Sequence, residues 1–400
     1  MKQVLIEKYG TPWDVARCAD VPDVGDPAAD EVVFDVLAFP INPADMWFCK
    51  GSYRLKPPLP ATPGAECVGR VAAVGAQVRH VKKGDLVINL QRENWAQRRK
   101  VKGDDAIPLP AGIDLRQAAM VRINPSTAQL MLSDFVELKG GDWVIQNVAN
   151  SAVGRLLIVL AHQRGLRTVN VVRRPELAGE LKALGADLVL VDGDDLPKRV
   201  AVETGDARIR LGVEAIGGSA TGRLADCLAT DGTLVHYGSM SGQNPDVNRS
   251  NFIYRGVRLT GFMLGRFLAK RTAEQIRAIY ADLAQQVMAG KLSAPVDTVY
   301  PIEKIKDALA HADKGGRNGK PVEAVALNTF WSGWNVTSLI TIESRSTTSR
   351  KQWFSHGKEI VLALPARSTS CGRRAKTEGG DPFVTGGSPI ARAISLWAMA

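Results

Sequence analysis

Cysteine is scarce: of 400 residues only five are Cys (Cys18, Cys49, Cys67, Cys227 and Cys371), scattered and odd in number. No two have the spacing of metal ligands, so neither a zinc ribbon nor a disulfide framework is indicated. Histidine is equally sparse, with five residues. No stretch of about 18 apolar residues exists, so nothing reads as a membrane span. The opening residues Met1–Gly10 carry no apolar run of the kind a signal peptide needs. A reducing, cytoplasmic setting is the expectation. What is present is ordinary globular composition, 45% hydrophobic and 23% charged, on a chain long enough for two domains. The formal charge of +10 favours phosphate-bearing or acidic partners.

Up to about residue 115 the chain reads as β-rich, with Val32–Leu37, Cys67–Val74 and Asp85–Leu90 as short Val/Ile runs between Gly, Pro and Asp. From about 140 strands and helices alternate. Trp143–Asn147, Val169–Val172, Leu188–Val191, Gly212–Ile216, Thr233–His236 and Val257–Phe262 are the expected strands. Ala152–Gln163 and Glu176–Leu184 are the expected helices among them. Such βαβ alternation predicts a doubly wound parallel sheet. Thr272–Met288 and Ile302–His311 read as later helices, after which the chain returns to the first domain. Residues 331–400 differ in kind: they hold four of the eight Trp, 17 Ser or Thr, and nine Lys or Arg against four Asp or Glu. Read as an atypical tail over 329–400, this stretch is disordered or non-native, the competing view being a basic appendage for an acidic partner. Nucleic-acid signatures are missing from it.

The turn Val148-Ala-Asn-Ser-Ala-Val-Gly154 links a buried strand to a helix, where a dinucleotide fold places its pyrophosphate on free N–H groups. Only Gly154 survives of the usual glycine pattern, so an ordinary strand–helix turn would also fit. After the next strand stand Arg173 and Arg174, where an NAD site needs a carboxylate. A guanidinium fork suits a 2′-phosphate, which favours NADP(H), although arginines after a strand can simply be solvated.

Ile123-Asn-Pro-Ser-Thr-Ala128, Gly141-Asp-Trp-Val-Ile-Gln-Asn147 and Asn150-Ser-Ala-Val-Gly154 together resemble the mitochondrial-type 2-enoyl thioester reductases, in the zinc-independent branch of the medium-chain dehydrogenase/reductases. Asn42-Pro-Ala-Asp45, Lys50-Gly-Ser-Tyr53, Tyr237-Gly238 and Gly261-Phe262 extend the match to roughly residues 1–328, and Asn42–Asp45 is shared with quinone oxidoreductases. The resemblance implies an α/β protein with a GroES-like β-barrel catalytic domain (1–118, completed by 290–328) and a Rossmann NADPH-binding domain (119–289). It implies NADPH-dependent reduction of the 2,3 double bond of an acyl thioester of CoA or acyl carrier protein, with Tyr53 as proton donor or enolate stabiliser. Cofactor contacts are implied at Asn42, Thr127, Asn150, Ser151, Ala152, Val153, Gly154, Arg173, Arg174, Tyr237, Gly238 and Phe262. A homodimer through Val257–Phe262 is implied as well. A quinone or enone reductase, or a catalytically silent NADPH-binding protein, are the alternatives. The chain departs from the family at Ala152, at Met263–Phe267, and at Glu93-Asn94-Trp95, where the family has Gly-Thr-Trp. Where zinc-dependent relatives place Cys and Gly-His-Glu stand Asn42 and Gly64-Ala65-Glu66, so no metal is expected.

Overall fold

The computed structural model describes residues 1–314 and 320–324; the tail lies outside them. The first part supplies strands β1 (Lys2–Ile6), β2 (Ala16–Asp20), β3 (Glu31–Pro40), β4 (Val68–Val74), β5 (Leu86–Asn89), β6 (Arg98–Lys102) and β7 (Ala106–Leu109). Then follow β8 (Trp143–Gln146), β9 (Arg167–Val172), β10 (Leu188–Val191), β11 (Leu211–Glu214), β12 (Thr233–His236) and β13 (Arg258–Gly261). The chain finishes with β14 (Val296–Pro301) and β15 (Lys320–Ala324).

β1 and β2 form a small antiparallel pair. A seven-stranded sheet runs β14-β15-β3-β4-β5-β7, with β6 paired to β3 off that path. Its long strand β3 alternates imperfectly and buries Phe34, Val36 and Phe39, because it is covered on both faces. β14 and β15 belong to this sheet, so the chain returns to it after the second one. This is the GroES-like part.

The second sheet has the order β10-β9-β8-β11-β12-β13, every neighbour parallel. Its inner strands β8, β9, β11 and β12 are largely buried, which accounts for their continuous apolar runs, while the edge strands β10 and β13 are partly exposed. Strand order reverses between β8 and β11, and in such sheets ligands bind in the crevice beyond the carboxyl ends at that point. Several expected boundaries move: the second strand starts at Arg167, the fourth is Leu211–Glu214, the last is Arg258–Gly261, Glu176–Leu184 divides into a 3₁₀ turn Pro175–Leu177 and a helix Ala178–Ala183, and Ile302–His311 becomes a 3₁₀ turn Ile302–Lys304 and a helix Ile305–Asp313. Pro175 fixes φ and has no N–H, which suits the first position of that turn.

One apolar core runs through both sheets, joining Val68, Ile88 and Ile107 to Val144, Leu157 and Val213. The helix Ala273–Met288, closed by a Thr272–Gln275 capping box, seals it with Tyr280, Leu283 and Ala284. No described helix is long and apolar enough to cross a membrane.

Candidate functional site

The strand–helix turn after β8 has the architecture of an anion cradle. Val148 adopts φ 50, a left-handed backbone that a β-branched residue rarely takes, and this bends the chain sharply out of the strand. Ala149 is fully buried and its N–H donates to Val171 at 3.3 Å. The Ser151 hydroxyl accepts from the Gly154 N–H at 3.1 Å and so caps the helix Ala152–Gln163. That cap leaves the amides of Ala152 and Val153 at the open end of a twelve-residue helix. Gly154 is dictated by packing: a Cβ there would meet the Ala149 oxygen at 2.6 Å and the Ala149 Cα at 2.7 Å. Asn150 is exposed on the outside of the turn. Arg173 and Arg174 follow β9 and are both exposed; Arg174 pairs with Glu176 at 3.4 Å, and Arg173 has no ion pair among the described residues.

The far side of the crevice holds a polar network that the sequence reading missed. Glu214, fully buried at the end of β11, accepts from Asn147 Nδ2 at 3.0 Å, from the Ile216 N–H at 2.6 Å and from the Gly217 N–H at 2.8 Å. Its other oxygen pairs with His236 Nδ1, and Asn147 Oδ1 accepts from the Ala215 N–H at 2.9 Å. Burial works against the Glu214 charge, yet the bonds from His236, Asn147 and the two amides outweigh it and hold the pKa below the ordinary range. The only sequence signal was one charged residue ending an apolar strand. Tyr237, next along, has its phenol pushed up to about 12 by burial, against a hydrogen bond with Ser151. Gly238 lies within 3.1 Å (at its would-be Cβ) of Ala215, a closeness a larger residue would disturb. Phe262 is packed with Phe135 and Phe267, centroids 6.3 and 4.7 Å away, so its ring serves the apolar core.

Two polar links tie the GroES-like sheet to the helix Asn124–Ser133. Glu66, fully buried, accepts from Asn42 Nδ2 at 2.9 Å and from the Ile123 N–H at 2.9 Å. The Arg122 guanidinium donates to the carbonyls of Ala65 and Leu90, while its own carbonyl accepts from the Tyr280 hydroxyl at 3.2 Å. Thr127 is buried on that helix, and the side-chain nitrogen of Asn124 beside it is buried without a hydrogen-bond partner. Tyr53 is half-buried just past the helix Pro43–Lys50, whose end is turned by Gly51 at φ 72. Its N–H donates to Trp47 at 3.1 Å.

The positions where zinc-dependent relatives place ligands are otherwise engaged here. Asn42 and Glu66 bond to each other, Ala65 offers no ligand, and the thiols of Cys49 and Cys67 are pushed up to about 12, chiefly by burial. Among the described residues no three His, Cys, Asp or Glu gather as a metal site.

A GroES-like sheet beside a doubly wound sheet, with an anion cradle at the switch point, defines an oxidoreductase of the two-domain dinucleotide-fold class. Residues 152–285 match the family model described as zinc-binding dehydrogenase, and residues 28–110 match the alcohol dehydrogenase GroES-like domain. The mitochondrial enoyl-[acyl-carrier-protein] reductase of Xenopus tropicalis is 36% identical over 316 residues, 76% of this chain and 90% of that protein. The Etr1p/NADP/crotonyl-CoA complex is similar at TM-score 0.70 and 26% identity, covering 81% of this chain and 99% of the other. Quinone oxidoreductase of Escherichia coli, solved with NADPH, is similar at TM-score 0.73 and 25% identity, covering 81% and 100%. The chain belongs to the medium-chain dehydrogenase/reductase family, alongside its enoyl thioester reductases.

Proposed function

We propose that this oxidoreductase reduces the 2,3 double bond of a 2-enoyl thioester with NADPH. The observation that carries the reading is a Tyr53-bearing loop on a GroES-like sheet that is tied, through Glu66, to the helix carrying Thr127 beside the dinucleotide crevice. The 36% identity to a named enoyl reductase supports the thioester as substrate class. NADPH, when bound, supplies the hydride that goes to the β-carbon.

The turn fits such a cofactor because Gly154 lets the helix close on Ala149 and leaves the Ala152 and Val153 amides open for a pyrophosphate. Arg173, with Arg174, offers guanidinium donors to a 2′-phosphate. Thr127, Asn42, Tyr237 and Gly238 frame the space between the two sheets. Tyr53 delivers its hydroxyl proton to the α-carbon, completing the reduction, and bulk solvent reprotonates it. We further propose a thioester of CoA or acyl carrier protein, a homodimer through 257–262, and a cytoplasmic site of action; the similar proteins are named mitochondrial, so cell fractionation decides the last point.

The test is NADPH oxidation by purified protein with trans-2-enoyl-CoA and with a quinone in parallel, for wild type and Tyr53→Phe. Turnover of the thioester that Tyr53→Phe lowers far more than NADPH affinity supports the reading. Turnover of the quinone alone moves the chain to the quinone reductases. Tight NADPH binding with no turnover of either makes it a silent binder.

A further inference from the structure

We propose that Arg92 is a positioning residue for Tyr53, holding the phenol ring in the orientation from which its hydroxyl meets the substrate. This rests on the assignment of Tyr53 above. The Arg92 guanidinium carbon lies 4.9 Å from the centroid of the Tyr53 ring and 5.8 Å from that of Phe48. Both distances fall within the range of cation–π attraction.

The Tyr53 ring is half-buried against the core of the GroES-like part, and Arg92 lies over its face. Arg54, Leu55, Lys56 and Pro58 are exposed, and beyond Tyr53 the Pro57 carbonyl accepts from the Tyr9 hydroxyl at 3.1 Å. Arg92, by contrast, comes from a loop that is fixed on every side. Asn94 donates to the Gln91 carbonyl at 2.8 Å and accepts from Asn89 Nδ2 at 2.6 Å, while the Trp95 N–H donates to Pro63 at 3.2 Å. Glu93 holds a left-handed φ of 67, its carboxylate 3.3 Å from Arg99, and Arg99 donates back to the Arg92 carbonyl at 3.1 Å. This is the Glu93-Asn94-Trp95 segment where the chain leaves the family's Gly-Thr-Trp. A residue other than glycine is kept in that backbone conformation by the bonds around it.

The guanidinium is anchored as well as presented. Its NH2 lies 3.3 Å from the Asp45 carboxylate, which is wholly buried and accepts from the Asn42 N–H at 3.0 Å. Because Asp45 matches its charge, Arg92 offers the substrate no bare cation, and its guanidinium lies over the Tyr53 and Phe48 rings. The arrangement therefore aims a ring and does not bind an anion. A well-bonded loop thus steadies the Tyr53 ring through a planar stack.

Arg92→Met keeps the length of the side chain and removes the stack. It is expected to lower kcat on the order of tenfold, with KM for the enoyl thioester and NADPH affinity within about twofold. Arg92→Lys, which keeps the ion pair to Asp45, is expected to restore part of kcat. In a Tyr53→Phe background Arg92→Met is expected to change nothing further, because the hydroxyl it aims is gone. If Arg92→Met proves unstable because Asp45 loses its ion pair, the pair Arg92→Met with Asp45→Asn is measured instead. An equal loss in both backgrounds, or a raised KM with kcat unchanged, overturns the positioning role. If Tyr53→Phe itself keeps full turnover, it is the Tyr53 assignment that fails.

Discussion

Replacing Gly154 by alanine tests whether the turn after β8 is a cofactor cradle or only a tight corner. All three atoms a new Cβ would meet are backbone atoms of Ala149: oxygen at 2.6 Å, Cα at 2.7 Å and carbonyl carbon at 2.8 Å. None can rotate away, so relief requires the helix Ala152–Gln163 to withdraw by about 0.7–1 Å before ordinary contact is restored. Overpacking of this kind costs about 1–3 kcal/mol. The withdrawal carries the Ala152 and Val153 amides with it, away from any pyrophosphate seated against Ala149. Losing one charge-assisted hydrogen bond there is worth about 1.5–3 kcal/mol, so NADPH affinity should fall by at least about tenfold. Nucleotide titration by NADPH fluorescence, alongside thermal unfolding with and without nucleotide, separates the two effects. Gly179→Ala is the matched control, since nothing lies within 4 Å of its would-be Cβ. Lying in the helix Ala178–Ala183, it should gain up to ~1 kcal/mol of stability and leave affinity alone. Wild-type affinity in Gly154→Ala would refute the cradle. A drop in Tm with unchanged affinity would leave Gly154 a packing residue only.

Two other substitutions probe the same crevice. Arg173→Ala should weaken NADPH by about tenfold or more and NADH hardly at all, read from paired titrations; an unchanged preference places the 2′-phosphate elsewhere. Glu214→Gln tests the buried network through pH. The Glu214 carboxyl titrates below its unfolded value, so its contribution is present at neutral pH and disappears as pH falls through the folded pKa. Wild type should therefore lose stability below about pH 4.5 more steeply than Glu214→Gln, the two Tm curves converging in acid. Parallel curves from pH 7 to 3 would mean the carboxylate contributes nothing of that kind.

What could be read beforehand and what could not divide along a physical line. Strands of the parallel sheet announce themselves because each is an apolar run bounded by breakers, and helix Ala152–Gln163 because its apolar spacing is local. The cradle was legible for the same reason, all of its parts lying between Asn147 and Gly154. Boundaries slipped where one residue overrides the pattern, as Pro175 does in turning the expected helix into a 3₁₀ turn followed by a short helix. The missed features are pairings between distant positions. Asn42 meets Glu66 across 24 residues, Tyr53 meets Arg92 across 39, and Glu214 meets His236 only because β11 and β12 are neighbours in the sheet. No periodicity carries such information, since each partner alone looks like a loop residue or a solvated charge. This bears on how the chain should be assayed. On the reading proposed above, the cradle and its glycine govern whether a dinucleotide binds. In the proposed function Tyr53 and Arg92 act where the substrate reacts, so substitutions there should alter turnover before they alter nucleotide affinity. Tyr53→Phe and Arg92→Met on one side, against Gly154→Ala and Arg173→Ala on the other, make that division measurable in a single set of kcat, KM and Kd values.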